Sequence, residues 1–181
     1  MWRGREACLQ TRVCRGTDHE AASCRRSWIA AVDCNRRRSS VEAQKGLEKL
    51  KSLVGNWQGK TAKVEPVEDT FSLTAGSTAV MGEDKMGPEE MLSLFYVEGD
   101  RLLMTHFCPS GNQPRMQATI SHDLKTISFD FLDTTNLPNP QTGDMHHATY
   151  IFSDADHSSQ EWTWMQDGKS TTYRSEMQRK K

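Results

Sequence analysis

The chain has 181 residues, of which 35% are apolar and 26% charged, and its formal net charge is −1. This composition is typical of a globular protein with one core. The near-zero charge, with no basic stripe interleaved with aromatic residues, disfavours nucleic-acid binding, and no apolar run approaches the roughly 18 residues that cross a bilayer.

Residues 1–40 differ in composition from the rest of the chain. They hold nine arginines, no lysine and four acids, a balance of +5, whereas residues 41–181 have a balance of −6. Because no helical or strand period is visible, residues 1–40 are predicted to be a disordered basic extension, or a spurious one if translation starts at Val41. Their longest uncharged apolar run, residues 28–32, is shorter than the roughly 7–15 residues of a signal-peptide core. No signal peptide is therefore predicted in the chain as written, and its location is left open, with the cytoplasm as the default.

Four of the five cysteines lie in this extension: Cys8, Cys14, Cys24 and Cys34. Zinc sites use cysteine pairs two to four residues apart, and such pairs are missing here. No metal site is predicted.

Residues 41–181 are predicted to form one domain that starts with a short helix. Leucines at positions 47, 50 and 53 recur at helical spacing, and Gly55 stands where a helix would stop. After Gly55 the period changes to two, and turn residues recur every 8–12 positions between about ten strand-like runs.

Two predicted hairpins turn at Gly99-Asp100 and at Asp167-Gly168. Consecutive hairpins make a meander, and closing a meander into a barrel removes its exposed edges. The sequence therefore predicts an all-β protein, an antiparallel up-and-down barrel of about ten strands with one helix before it.

Two segments of this domain resemble known barrels. Gly55-Asn56-Trp57, directly after the helix, is similar to the G-x-W signature of the lipocalin and calycin group, in which the tryptophan closes the barrel base. That resemblance implies that Arg174, on the last strand, packs over Trp57. Residues 99–116 resemble a bacterial family of lipocalin-like proteins of uncharacterised function, many of whose members look exported.

His106 is the first candidate for a functional side chain. Strand alternation places Leu102, Met104, His106 and Cys108 on one face. An imidazole titrates near neutrality, so His106 could bind a ligand or act as a general base, or it could be an ordinary buried histidine. Cys108 has no activating neighbour and is predicted to be a buried thiol.

Polar side chains follow His106 in the loop at 109–115. A barrel mouth is where such loops orient ligands, so these residues are candidate ligand contacts. They could equally satisfy turn backbone, or pair Arg115 with Asp130 or Asp133. The candidates in and beyond the loop are Asn112, Gln113, Arg115, Asn136 and His147.

Trp162 and Trp164 share one face of a strand and could form an aromatic wall for a ligand or part of the core. The first hypothesis for function is a non-enzymatic barrel that binds a small hydrophobic or amphipathic molecule. An enzyme or a haem-binding barrel that uses His106 is the second, although residues 169–181 lack the late-strand histidine of similar haem barrels. A solid barrel that serves as an interaction scaffold is the third. No cofactor is predicted, and the oligomeric state is left open.

Overall fold

The computed structural model describes residues 28–63, 65–139 and 141–181, with side chains from residue 40 onward. It contains one helix, α1 (Trp28–Lys51), and one 3₁₀ turn (Ala75–Ser77). The helix begins 13 residues before Val41, where the leucine pattern predicted its start, and residues 28–40 contain no glycine or proline that would interrupt it. Residues 1–27, with Cys8, Cys14 and Cys24, lie outside the described residues. A basic extension separate from the barrel stays a prediction.

Ten strands follow the helix. Their bounds are β1 (Gly55–Thr61), β2 (Pro66–Thr74), β3 (Ala79–Met86), β4 (Glu89–Glu98), β5 (Arg101–Phe107), β6 (Gln113–Ile120), β7 (Thr126–Thr135), β8 (Asp144–Phe152), β9 (His157–Gln166) and β10 (Lys169–Arg179). Both predicted hairpins are present, β4–β5 around Gly99 and β9–β10 around Gly168.

The strands form one closed antiparallel barrel. Each strand pairs with its neighbours in the chain, and β1 pairs with β10 to close the sheet. The prediction of an up-and-down barrel of about ten strands is confirmed. No helix in the described part of the chain is long and apolar enough to cross a membrane.

Helix α1 packs at one end of the barrel. Leu47, Leu50 and Leu53 are buried there, and the close approach of Leu102 and Ile120 leaves no room for a side chain at Gly46. The indole Nε1 of Trp57 donates a hydrogen bond to the carbonyl oxygen of Leu53, at 2.6 Å. The chain between helix and barrel is therefore fixed to the barrel end that the helix covers.

Aromatic side chains fill the barrel next to that end. The rings of Phe71, Phe95 and Phe129 each meet the ring of Tyr150 edge to face, with centroids 5.6–6.4 Å apart. Gly82 makes room for this cluster, because a Cβ there would lie 2.9 Å from the Phe71 ring. These rings occupy the barrel interior beside the end that the helix covers.

Candidate functional site

A cluster of polar side chains lies inside the barrel directly beyond the aromatic layer. Each of the four consecutive strands β2 to β5 contributes one residue. Asp69 on β2 is the register partner of Asp84 on β3, and Ser93 on β4 is the register partner of His106 on β5. Tyr150 on β8 and Gln160 on β9 complete the cluster from the other wall. All six side chains are at most 6% exposed. We call these six residues the polar cluster.

Three hydrogen bonds fix the cluster. The Gln160 amide donates to Asp69 Oδ2 at 2.5 Å and accepts from the Trp162 indole at 3.0 Å. Ser93 Oγ and His106 Nδ1 lie 3.0 Å apart, and the imidazole packs on the Trp162 ring with centroids 4.9 Å apart. The side chains are thus held in place by one another and by Trp162.

Several polar atoms of the cluster have no hydrogen-bond partner among the described residues. They are Asp69 Oδ1, both carboxyl oxygens of Asp84, His106 Nε2 and the Tyr150 hydroxyl. Buried polar atoms in native proteins are nearly always paired, and each unpaired one costs about 1–3 kcal/mol. Asp69 and Asp84 can pair one oxygen of each through a shared proton. The atoms that remain, among them His106 Nε2, indicate a site that a bound molecule or water completes.

Burial sets the protonation of the cluster. Removal from water raises the pKa of Asp84 well above its usual value, and the neighbouring Asp69 charge raises it further. Burial also raises the pKa of Asp69, to about 6, against the lowering effect of the Gln160 hydrogen bond. Two carboxyls this close hold one proton between them, so the pair carries about one negative charge at neutral pH.

His106 and Tyr150 do not balance that charge. Burial lowers the pKa of His106 to about 4, so its imidazole is neutral at pH 7. Burial raises the pKa of Tyr150 well above its usual value, which keeps its hydroxyl protonated. The cluster as a whole is therefore anionic and enclosed.

A small cavity adjoins the cluster on the side away from α1. Its volume is about 40 Å³, which is enough for a few water molecules. Asp69, Asp84, His106 and Gln160 line it, and its remaining wall is mostly apolar. The apolar lining side chains are Val67, Met86, Met91, Met145 and Trp162.

Two of the predicted site residues meet at this cavity. His106 and Trp162 both line it and touch each other, and Leu102, Met104 and His106, which strand alternation placed on one face, are all buried. Trp164 is partly buried against the core and packs over Gly143. A role for any of them in ligand binding stays a prediction.

The other candidates make contacts away from the cavity. Asn112 is buried and donates to the Gly143 carbonyl at 2.8 Å, whereas Gln113 accepts from the exposed Asn136. Arg115 forms a two-point ion pair with Asp133, one of the alternatives considered for it above. His147 lies 2.9 Å from Asp130 and from Thr149 Oγ1. These contacts lie in turns and on the outer surface of the barrel.

The arginine over Trp57 is Arg179, not Arg174. The Arg179 guanidinium lies 4.3 Å from the ring centroid and donates to the carbonyl oxygens of Val54 and Ser52, at 2.7 Å each. It passes so close to Gly55, whose φ is +127°, that a Cβ there would lie 2.8 Å from it. Arg174 lies five residues before Arg179 on β10, so its side chain takes the opposite face of the strand, where it pairs with Glu161. The resemblance identified the type of contact but assigned it to the wrong arginine.

Sequence reasoning missed most of the polar cluster, namely Asp69, Asp84, Ser93, Tyr150 and Gln160. A signal was present in the strand pattern. Asp69 alternates with Val67 and Phe71, and Asp84 stands on the apolar face of β3. An acid on the apolar face of a period-two strand indicates a buried carboxyl.

No protein-family model matches the chain, and no curated protein matches it. Among solved structures, the barrel is similar to a protein of unknown function from the DUF3598 family of Nostoc punctiforme, with 12% identity and a TM-score of 0.47. The match covers 71% of this chain and 48% of that one, so the chain spans about half of that protein's length. A similarity at this level identifies neither a family nor a ligand.

Proposed function

We propose that this protein is a lipocalin-like barrel that binds one small amphipathic molecule at the cavity above the polar cluster. The observation that supports this most is the set of buried, unpartnered polar atoms on Asp69, Asp84 and His106, three residues that line a mostly apolar cavity. Binding sites for small molecules combine apolar walls with a few such polar groups, which orient the ligand.

The size of the cavity limits how a ligand is held. About 40 Å³ accommodates a polar head group but not a whole organic molecule; an engineered cavity that takes benzene measures about 150 Å³. The ligand's apolar part would then lie among Met86, Met91 and Met145, whose unbranched side chains adapt easily to a guest. This arrangement does not fit haem, because a porphyrin is far larger than the space beside His106.

Catalysis is the second candidate function. A neutral imidazole beside a carboxyl with a raised pKa can transfer protons, and such perturbed groups concentrate at active sites. Catalysis requires turnover that His106→Gln abolishes in a folded protein, whereas a binding protein returns its ligand unchanged.

Three hexyl compounds with different head groups test the proposal: hexylamine, 1-hexanol and hexanoate. We expect at least one of them to shift the Trp162 indole NH resonance saturably in a two-dimensional NMR titration, because that NH lies at the cavity floor. Met91→Trp fills the cavity mouth and should abolish the shift.

Phe107→Trp is the matched control. It also introduces an indole, but at an exposed position of β5, and it should leave the titration unchanged. The proposal is wrong if none of the three compounds binds and native mass spectrometry of protein from its own host shows only the bare polypeptide.

A further inference from the structure

We propose that the cavity selects a protonated amine, a primary alkylammonium whose charged head sits against Asp69 and Asp84. This inference rests on the proposed function and specifies its ligand class. The juxtaposition that supports it is a pair of buried carboxyls with unpartnered oxygens at the closed end of an apolar cavity.

The charge of the site has no counterion inside the barrel. The titratable groups that face the carboxyl pair are His106 on β5, Tyr150 on β8 and Tyr173 on β10. None of them is cationic at neutral pH, because burial keeps the His106 imidazole neutral and a tyrosine has no cationic form. Of the described lining residues, Lys85 and Arg174 are cationic. They pair with Glu90 and Glu161 on the outer surface, at 2.6 and 2.8 Å. A buried anion without a counterion is unfavourable, so a cationic guest is favoured.

The unpartnered atoms also match an ammonium in hydrogen bonding. An ammonium has three donors and no acceptor. The 3.0 Å contact between Ser93 Oγ and His106 Nδ1 allows Nδ1–H to donate to the hydroxyl. His106 Nε2 then carries a lone pair. Asp69 Oδ1, an Asp84 oxygen and His106 Nε2 would supply three acceptors for three donors.

Binding should release a proton. The carboxyl pair holds one proton before binding; when the alkylammonium enters, that proton leaves to solvent, and the complex has two carboxylates and one ammonium. No covalent bond other than the O–H bond changes. Because an alkylammonium stays protonated up to about pH 10, its affinity should rise between pH 5 and pH 8 as the proton becomes easier to remove.

Isothermal titration calorimetry with the three hexyl compounds tests this on the full chain. At pH 8 we expect hexylamine to bind at least about tenfold more tightly than 1-hexanol, which has one donor and no charge, and hexanoate not to bind, because of charge repulsion. The apparent enthalpy for hexylamine should depend on the ionisation enthalpy of the buffer, in the direction of proton release.

Asp84→Asn keeps the shape of the side chain and removes the charge, and it should weaken hexylamine at least about tenfold while 1-hexanol binding persists. Asp69→Asn is the second variant, in case the first does not fold by far-UV circular dichroism. The control is Asp130→Asn, since that exposed carboxylate binds His147 on the outer surface, and it should change nothing.

The outcomes separate the two proposals. If 1-hexanol or hexanoate binds more tightly than hexylamine, and Met91→Trp abolishes that binding, the barrel is a binding protein but the amine inference is wrong. Unchanged hexylamine affinity in both folded aspartate variants also overturns the inference. If no compound binds, the amine inference is wrong, and the binding proposal fails as well if native mass spectrometry of protein from its own host shows only the bare polypeptide.

Discussion

Asp69 and His106 respond to pH in opposite directions although they belong to one cluster. The pKa of Asp69 is about 6 in the folded protein and near 4 when unfolded. Between these values the folded state binds more protons, so this carboxyl makes stability fall as pH rises. The pKa of His106 is about 4 when folded and near 6.5 when unfolded. In that range the unfolded state binds more protons, so His106 makes stability rise with pH.

Asp84, whose pKa is also raised, acts in the same direction as Asp69. Between about pH 4 and pH 6 His106 therefore offsets part of the fall in stability that the two carboxyls cause, and removing His106 should expose the whole of it. We expect the free energy of unfolding of His106→Gln to fall more steeply from pH 4.5 to pH 6 than that of the unaltered protein, by up to about 1.4 kcal/mol per pH unit for the one proton that His106 takes up on unfolding. Urea unfolding followed by circular dichroism across this range measures the slope.

His147→Gln is the control for this pH dependence, because His147 lies on the outer face of β8 beside Asp130. It should leave the pH profile of the unaltered protein in place. A His106→Gln profile parallel to that of the unaltered protein would show that His106 is not buried as a neutral imidazole.

At the level of secondary-structure elements, Arg179 joins the end of the last strand to the helix and the first strand. Its guanidinium covers Trp57 and binds two carbonyl oxygens of the segment between α1 and β1. Trp57 in turn holds Leu53 through its indole NH. One arginine thus fixes the barrel's closing seam and the helix that covers the same end.

We expect Arg179→Ala to lower the free energy of unfolding by about 2–4 kcal/mol, since it removes a cation–π contact and leaves the carbonyl oxygens of Ser52, Val54 and Ala155 without their donor. Arg174→Ala removes only ion pairs in which the arginine is about half exposed, and it should cost less than about 1 kcal/mol. Urea unfolding of both variants makes the comparison. Equal losses would contradict the assignment of the packing role to Arg179.

At the scale of the whole molecule, closure leaves no strand edge unpaired. Each of the ten strands has a neighbour on both sides, and α1 covers one end through Leu47, Leu50 and Leu53. All three leucines lie after residue 40. The part of the helix that seals the barrel therefore belongs to the same segment as the strands.

A chain that begins at Val41 should therefore fold into the same barrel. We expect its melting temperature to lie within about 5 °C of that of the full chain, a difference of roughly 1–2 kcal/mol for a domain of this size. Thermal unfolding by circular dichroism checks this, with Leu50→Ala in both chains as a control that should destabilise them equally. Failure of the shorter chain to fold would show that residues 1–40 are part of the domain.

The sequence by itself determined the barrel, because period-two alternation, turn residues every 8–12 positions and two marked hairpins are local properties of the chain. The same alternation placed His106 on one face with Leu102 and Met104, but it did not decide which face is inside. The helical spacing of the leucines did not predict the first 13 residues of α1, because those residues contain good helix formers but no apolar stripe.

Only the tertiary structure decided the composition of the site. Asp69, Asp84 and His106 are separated by at least 15 residues in the chain and become neighbours through strand register, whereas Gln160 arrives from the far side of the closed sheet. Closure also decided which arginine reaches Trp57, since that depends on the register of β10 against β1. The sequence specifies which face each side chain takes, but pairing across strands sets which side chains share a cavity, and burial there sets their charge.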